Sequence, residues 1–140
     1  MYALYPFNAL IPSNLVHIFL VMPQEVIHQI IDTLEDFKAE NICYFDTTHR
    51  SSLFDYIVIV TGKNITHTKA IAKNLKRALK KYGFKNKKLS NEQNGEWVVL
   101  DLGTVLLHIM IQEVREIYCL EELWCNEDNA DHSINVSSDS

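Results

Sequence analysis

The sequence predicts an α/β (α+β) fold: one compact domain built on a five-stranded mixed sheet flanked by helices, in the order α-β-β-α-β-β-β-α. Three observations carry this. Two stretches, Pro23–Phe37 and Asn64–Tyr82, repeat apolar residues at helical spacing. The run Phe54–Thr61 is apolar on both alternate faces apart from Asp55 and Thr61, which marks a strand covered on both sides and central in its sheet. A helix lying between two strands forms a crossover, so its flanking strands should be parallel and the connection right-handed, with hairpins elsewhere.

Each element follows from local chemistry. In the first helix Val26, Ile27, Ile30, Ile31, Leu34 and Phe37 make one stripe, and Pro23 suits the first helical position, where no amide donor is needed. Strands over Ile42–Asp46 and Phe54–Thr61 follow, joined by a polar stretch. Asn64 reads as the N-cap of the second helix, whose buried stripe is Ile71, Leu75, Leu79 and Tyr82, with Gly83 as its C′ residue. Strands are expected near Lys85–Ser90, Glu96–Leu102 and Val105–Ile111, with a type I′ turn at Asn94-Gly95 and a tight reversal at Gly103. A last helix should run from Gln112 through Val114, Ile117, Tyr118 and Leu120 to Trp124.

Three segments are expected along the 140 residues: an apolar N-terminal extension over 1–21, a folded domain over 22–124 and an acidic disordered tail over 125–140. Residues 1–21 hold no Lys or Arg, and Pro6 and Pro12 interrupt any span long enough to cross a membrane. Met22 is an alternative start, and no function is assigned to the segment before it. Three cysteines, Cys43, Cys119 and Cys125, make neither a disulfide framework nor a zinc knuckle, so reduced thiols in the cytoplasm are expected.

Charge is unevenly spread. Of 13 Lys and Arg, ten lie between Lys63 and Lys88, a stretch without Asp or Glu, although the net charge is −5. Lys76, Arg77, Lys80 and Lys81 crowd the end of the second helix, where cations suit the exposed carbonyls. The same field would hold phosphates, so nonspecific contact with RNA backbone is expected of this patch, set against a simple solvated helix face.

Catalysis is disfavoured. No Gly-rich loop has phosphate-binding spacing, the six histidines are scattered, and no metal- or cofactor-binding motif is present. Asp46, Asp55 and Asp101 are single acids in separate strands, where such residues usually cap turns. His108, within an apolar strand, reads either as a buried hydrogen-bonded group or as part of a docking face. Trp97 shares one face of its strand with Val99 and Asp101, and a tryptophan beside small apolar groups is a common interface anchor; the alternative is a half-buried core residue.

FDYIVIVTG, HTKAIA, GEWVVLDLG and LLHIMIQEVREIYCLEELW, in this order and spacing, resemble the ribosomal silencing factor (Iojap-like) family from about Val26 to Trp124. The resemblance implies a nucleotidyltransferase-like fold without enzymatic activity. It implies binding to the large ribosomal subunit through ribosomal protein number fourteen, and steric exclusion of the small subunit that represses translation in starvation or stationary phase. An alternative is a large-subunit assembly factor with rRNA contacts, and a less favoured one is a nucleotide-dependent enzyme. Carried onto this chain, the family's motifs fall on Trp97, Asp101, Gly103, His108, Arg115 and Tyr118, and their strands add Val99 and Met110 as partner-binding candidates. A homodimer off the ribosome is a further expectation. Ser90-Asn91 and Thr104 depart from the family pattern beside the docking strands.

Overall fold

The computed structural model describes residues 23–83, 88–90, 93–124 and 133–136. The expected extension over 1–21 lies outside them. Helix α1 (Pro23–Asp36) leads into β1 (Glu40–Asp46) and β2 (Tyr56–Gly62), and α2 (Ile65–Lys80) crosses over to the second half. There β3 (Lys88–Ser90), β4 (Trp97–Asp101) and β5 (Val105–Ile111) precede the short helix α3 (Gln112–Tyr118), a 3-10 turn (Leu120–Leu123) and β6 (Ser133–Val136).

The strands form one sheet in the order β3-β4-β5-β2-β1-β6. β2 and β5 are parallel, as the α2 crossover requires, and every other pair is antiparallel. β2 lies between β5 and β1 and all seven of its residues are buried, as its doubly apolar sequence predicts. The expected strands are joined by β6, which corrects the expectation that 125–140 is wholly disordered: Ser133–Val136 pairs with β1.

The two helix stripes bury one face of this sheet. Ile27, Ile30 and Leu34 of α1, with Ile71, Leu75 and Leu79 of α2, join Ile42, Val58, Val60, Val98, Leu100, Leu107 and Ile109 in the main core. Tyr82, expected in that stripe, is 41% exposed, because α2 ends at Lys80 before reaching it. The start of α2 is as expected: the Asn64 side chain accepts the His67 N–H at 2.8 Å, and Gly83 takes φ 84 just beyond its end. α1 ends less predictably. Lys38 sits at φ 62, and its N–H and that of Ala39 donate to Glu35 and Leu34, a Schellman closure with lysine where glycine is usual.

Two turns differ in kind. Gly103, at φ 92, makes the tight β4–β5 reversal, with the Leu102 N–H donating to Val105 at 2.9 Å. Asn94-Gly95 is no two-residue hairpin, because Ser90 pairs with Val99 and the connection is longer. Gly95, at φ 76, instead lies against α2: a Cβ there would come within 2.7 Å of Ile65 Cγ2, and its carbonyl accepts the Thr68 hydroxyl. The last helix is also shorter than expected. Cys119 turns left-handed (φ 45, ψ 49), so Gln112–Trp124 splits into α3 and the 3-10 turn.

Candidate docking surface

The second face of the sheet is only half covered. Val114 of α3, with Leu120 and Trp124 from the 3-10 turn and its end, packs on Cys43, Phe45, Ile57, Ile59 and Met110, over β1, β2 and the end of β5. The β4–β5 half of this face lacks such a cover among the described residues. There β4 presents Trp97, Val99 and Asp101, and β5 presents Leu106 and His108, all partly accessible, while the intervening residues Val98, Leu100, Leu107 and Ile109 go to the helical core. Strict alternation thus divides two neighbouring strands between core and surface.

Trp97 is held from two sides. Its indole N–H donates to His108 Nδ1 at 3.0 Å, and its ring lies 4.8 Å from that of Tyr118, tilted at 49°. Because Nδ1 accepts, the His108 proton resides on Nε2 and the ring is neutral. Desolvation lowers its pKa to about 4, which agrees with a neutral acceptor. His108 is therefore partly buried and hydrogen-bonded, and it also lies on the open face. Beside Trp97 a shallow groove is lined by Asn94, Glu96, Trp97, Val114, Ile117 and Tyr118. Ile117 is 74% and Tyr118 56% exposed, on a helix that buries none of its residues.

The remaining candidates divide. Val99 stands opposite His108 on the open face. Asp101 is on the same face, but its carboxylate accepts the Gly103 N–H at 2.9 Å and stabilises the turn. Gly103 serves that turn. Met110 is fully buried, so it cannot contact a partner; it pairs with Trp97 and supports it from the smaller core cluster. Arg115 is turned inward as well. Its Nη1 donates to the Asn41 carbonyl at 2.7 Å and the Thr61 hydroxyl at 2.8 Å, while its Nε pairs with Glu121. It ties β1, β2, α3 and the 3-10 turn together. The sequence reading missed Ile117 as a surface group, since apolar residues at helical spacing normally signal burial.

Lys76, Arg77, Lys80 and Lys81 are exposed on or just beyond α2, in the layer across the sheet from Trp97. Asp46, Asp55 and Asp101 form no common group of three among the described residues. Asp46 and Asp101 end β1 and β4, with β2 and β5 between them, and Asp46 accepts the Thr48 N–H at 2.9 Å. Among the described residues no group of three or more His, Cys, Asp or Glu is placed to hold a metal ion, and no helix is long and apolar enough to cross a membrane.

The profile described as "Ribosomal silencing factor during starvation" matches residues 22–140. The chain belongs to the ribosomal silencing factor family. A silencing factor of Haemophilus influenzae is 37% identical over 95 residues, covering 68% of this chain and 93% of the relative. One from Chromobacterium violaceum is 36% identical over 101 residues, with 72% and 83% covered. The crystal structure of a Chromobacterium violaceum protein superposes with a TM-score of 0.72 at 34% identity, covering 76% of this chain and 88% of that one. The fold is thus a silencing-factor fold: a mixed sheet with helices on it, as expected.

Proposed function

We propose that this silencing factor docks on the large ribosomal subunit through the open β4–β5 face and excludes the small subunit by bulk. The observation that carries the reading is the half-uncovered face on which Trp97 is fixed by His108 and flanked by exposed Ile117 and Tyr118. A preorganised aromatic with apolar neighbours loses little freedom on binding, which is what a hot spot requires. The groove and the helix that borders it carry exposed acids, Glu96, Glu113 and Glu116, and the one arginine of α3 points inward. Such a surface favours a basic protein over RNA, in keeping with ribosomal protein number fourteen as the contact. Steric exclusion needs no catalysis, and the reading takes the chain to act in the cytoplasm. The partner-facing set in this reading is Trp97, Val99, His108 and Tyr118, together with the exposed Ile117 beside Tyr118.

A second reading, an assembly factor touching rRNA, is favoured by the exposed Lys76, Arg77, Lys80 and Lys81. Because that patch and the Trp97 face lie on opposite layers, variants separate the two. Purified large subunits are sedimented with Val99→Lys, with Ile117→Lys, and with a variant reversing the four cations, and joining to small subunits is measured. The docking reading expects both single variants to weaken binding at least about tenfold, a change of ~1.4 kcal/mol, and to restore joining, while the charge-reversed protein still binds. The opposite pattern supports the RNA reading, and a homodimer through the same open face would be weakened by the same single variants.

A further inference from the structure

The sheet has two edges, and the sequence guards them differently. β3, at one end, is three residues long and carries Lys88, with Lys85 and Lys87 close before it in the sequence. Shortness and lysine both discourage an edge from accepting another strand. β1, near the other end, is seven residues long, ENICYFD, and has no Lys, Arg or Pro. Its irregularity lies between Glu40 and Cys43, with Asn41 at φ 48, and its pairing from Cys43 onward is regular. Ile42, Cys43 and Phe45 are buried and Tyr44 is packed against the main core. Uncovered, this edge would present unpaired N–H and C=O groups along an apolar strip.

What covers it is β6. Ser133, Ile134, Asn135 and Val136 stand opposite Phe45, Tyr44, Cys43 and Ile42, one for one. SINV alternates polar and apolar residues at strand spacing, and it contributes the only Ile and Val of a segment from Cys125 to Ser140 that otherwise holds Glu127, Asp128, Asp131 and Asp139. The alternation is in step with the sheet, because the two apolar residues fall opposite Ile42 and Tyr44.

We propose that the outer edge of β1 is a strand-acceptor site for a second copy of this chain, and that β6 is its built-in cover. A second copy fits because an antiparallel pairing of β1 with β1 about a two-fold axis closes both exposed edges in one self-complementary contact. β1 carries acids only at its two ends, Glu40 and Asp46, so its centre offers no charge to oppose such a pairing. The site is separate from the docking face, since β2 lies between β1 and the β4–β5 half of the sheet.

The test uses the full chain carrying Ile134→Pro and Asn135→Pro. In an edge strand alternate N–H groups point at the neighbour, so two successive prolines remove at least one bond whichever residue donates. Every second amide among residues 42–45, those directed at β6 rather than β2, should lose protection from hydrogen exchange, and the apparent mass in equilibrium sedimentation should rise with concentration towards twice the wild-type value. Adding Tyr44→Lys should return it to the wild-type value. Should the prolines unfold the protein, Ile134→Asp with Asn135→Asp reads the same two quantities. Unchanged protection would show that β6 is not the cover. Lost protection without a rise in mass would show that the edge takes no second copy. Association that survives Tyr44→Lys would put the contact elsewhere.

Discussion

Trp97 on β4 and His108 on β5 are diagonal neighbours, two residues out of register, and the indole N–H of the first donates to the Nδ1 of the second at 3.0 Å. The diagonal distance across an antiparallel pair is within reach of large rings, so the bond holds the indole in place on an otherwise open surface. It also makes Trp97 part core and part interface, so truncating it affects stability as well as binding. Trp97→Phe, which keeps a ring near Tyr118 but removes the donor, should cost about 1 kcal/mol in urea unfolding. Trp97→Ala should cost about 2 kcal/mol, less than for a fully buried aromatic. An unchanged midpoint in both variants would mean that the indole contributes nothing to the fold.

His108 should make the protein acid-sensitive. Its pKa is about 4 in the fold against an ordinary 6.5, because burial disfavours the charged ring. As pH falls below about 6.5 the unfolded chain takes up a proton first, so stability declines through this window and levels off below about 4. Above about 6.5 both states are neutral and His108 adds no slope. The full loss is on the order of 3 kcal/mol. Melting curves between pH 7 and 4 should be steeper for the native protein than for His108→Gln. Parallel curves would remove His108 as the source.

Arg115 joins four elements with one guanidinium, and Lys cannot reproduce that fork. Arg115→Met should destabilise by about 2 kcal/mol, since it leaves the Glu121 carboxylate without its partner. Adding Glu121→Gln should recover part of the loss, and the double-mutant cycle measures how much. Additive effects would show that the pair is not coupled.

Gly95 and Gly103 both have positive φ, but their surroundings differ. A Cβ at Gly95 meets Ile65 and Lys69, whereas one at Gly103 meets nothing within 4 Å. Gly103→Ala should therefore cost about 1 kcal/mol from backbone strain alone, and Gly95→Ala clearly more, because α2 must also shift. Thermal melts of the two variants, compared side by side, check the order.

Much of this was legible in the sequence because the signals were periodic. The stripes of α1 and α2, the doubly apolar β2 and the Asn64 cap each combine several residues that agree with one another. The left-handed residues Lys38 and Cys119 were not legible, since nothing in their side chains asks for that conformation and the surrounding packing imposes it. Within the candidate surface, alternation separated Trp97, Val99 and Asp101 from Val98 and Leu100. It could not tell that Met110 would be covered by α3 while His108, two residues earlier on the same face, would stay partly open. That distinction depends on where a later helix comes to rest. β6 was hidden by composition, since four residues cannot offset the acids around them in any average.

The division of β5 into alternate residues has an evolutionary consequence. Leu106 and His108 belong to the surface, Val105, Leu107 and Ile109 to the core, and only one residue of offset separates the two sets. Inserting or deleting a single residue before Val105 that shifted the strand by one position would exchange them, burying the histidine and exposing the isoleucine. Relatives of this chain should therefore vary freely in which side chains they show a partner, but keep the length of the β4–β5 hairpin fixed.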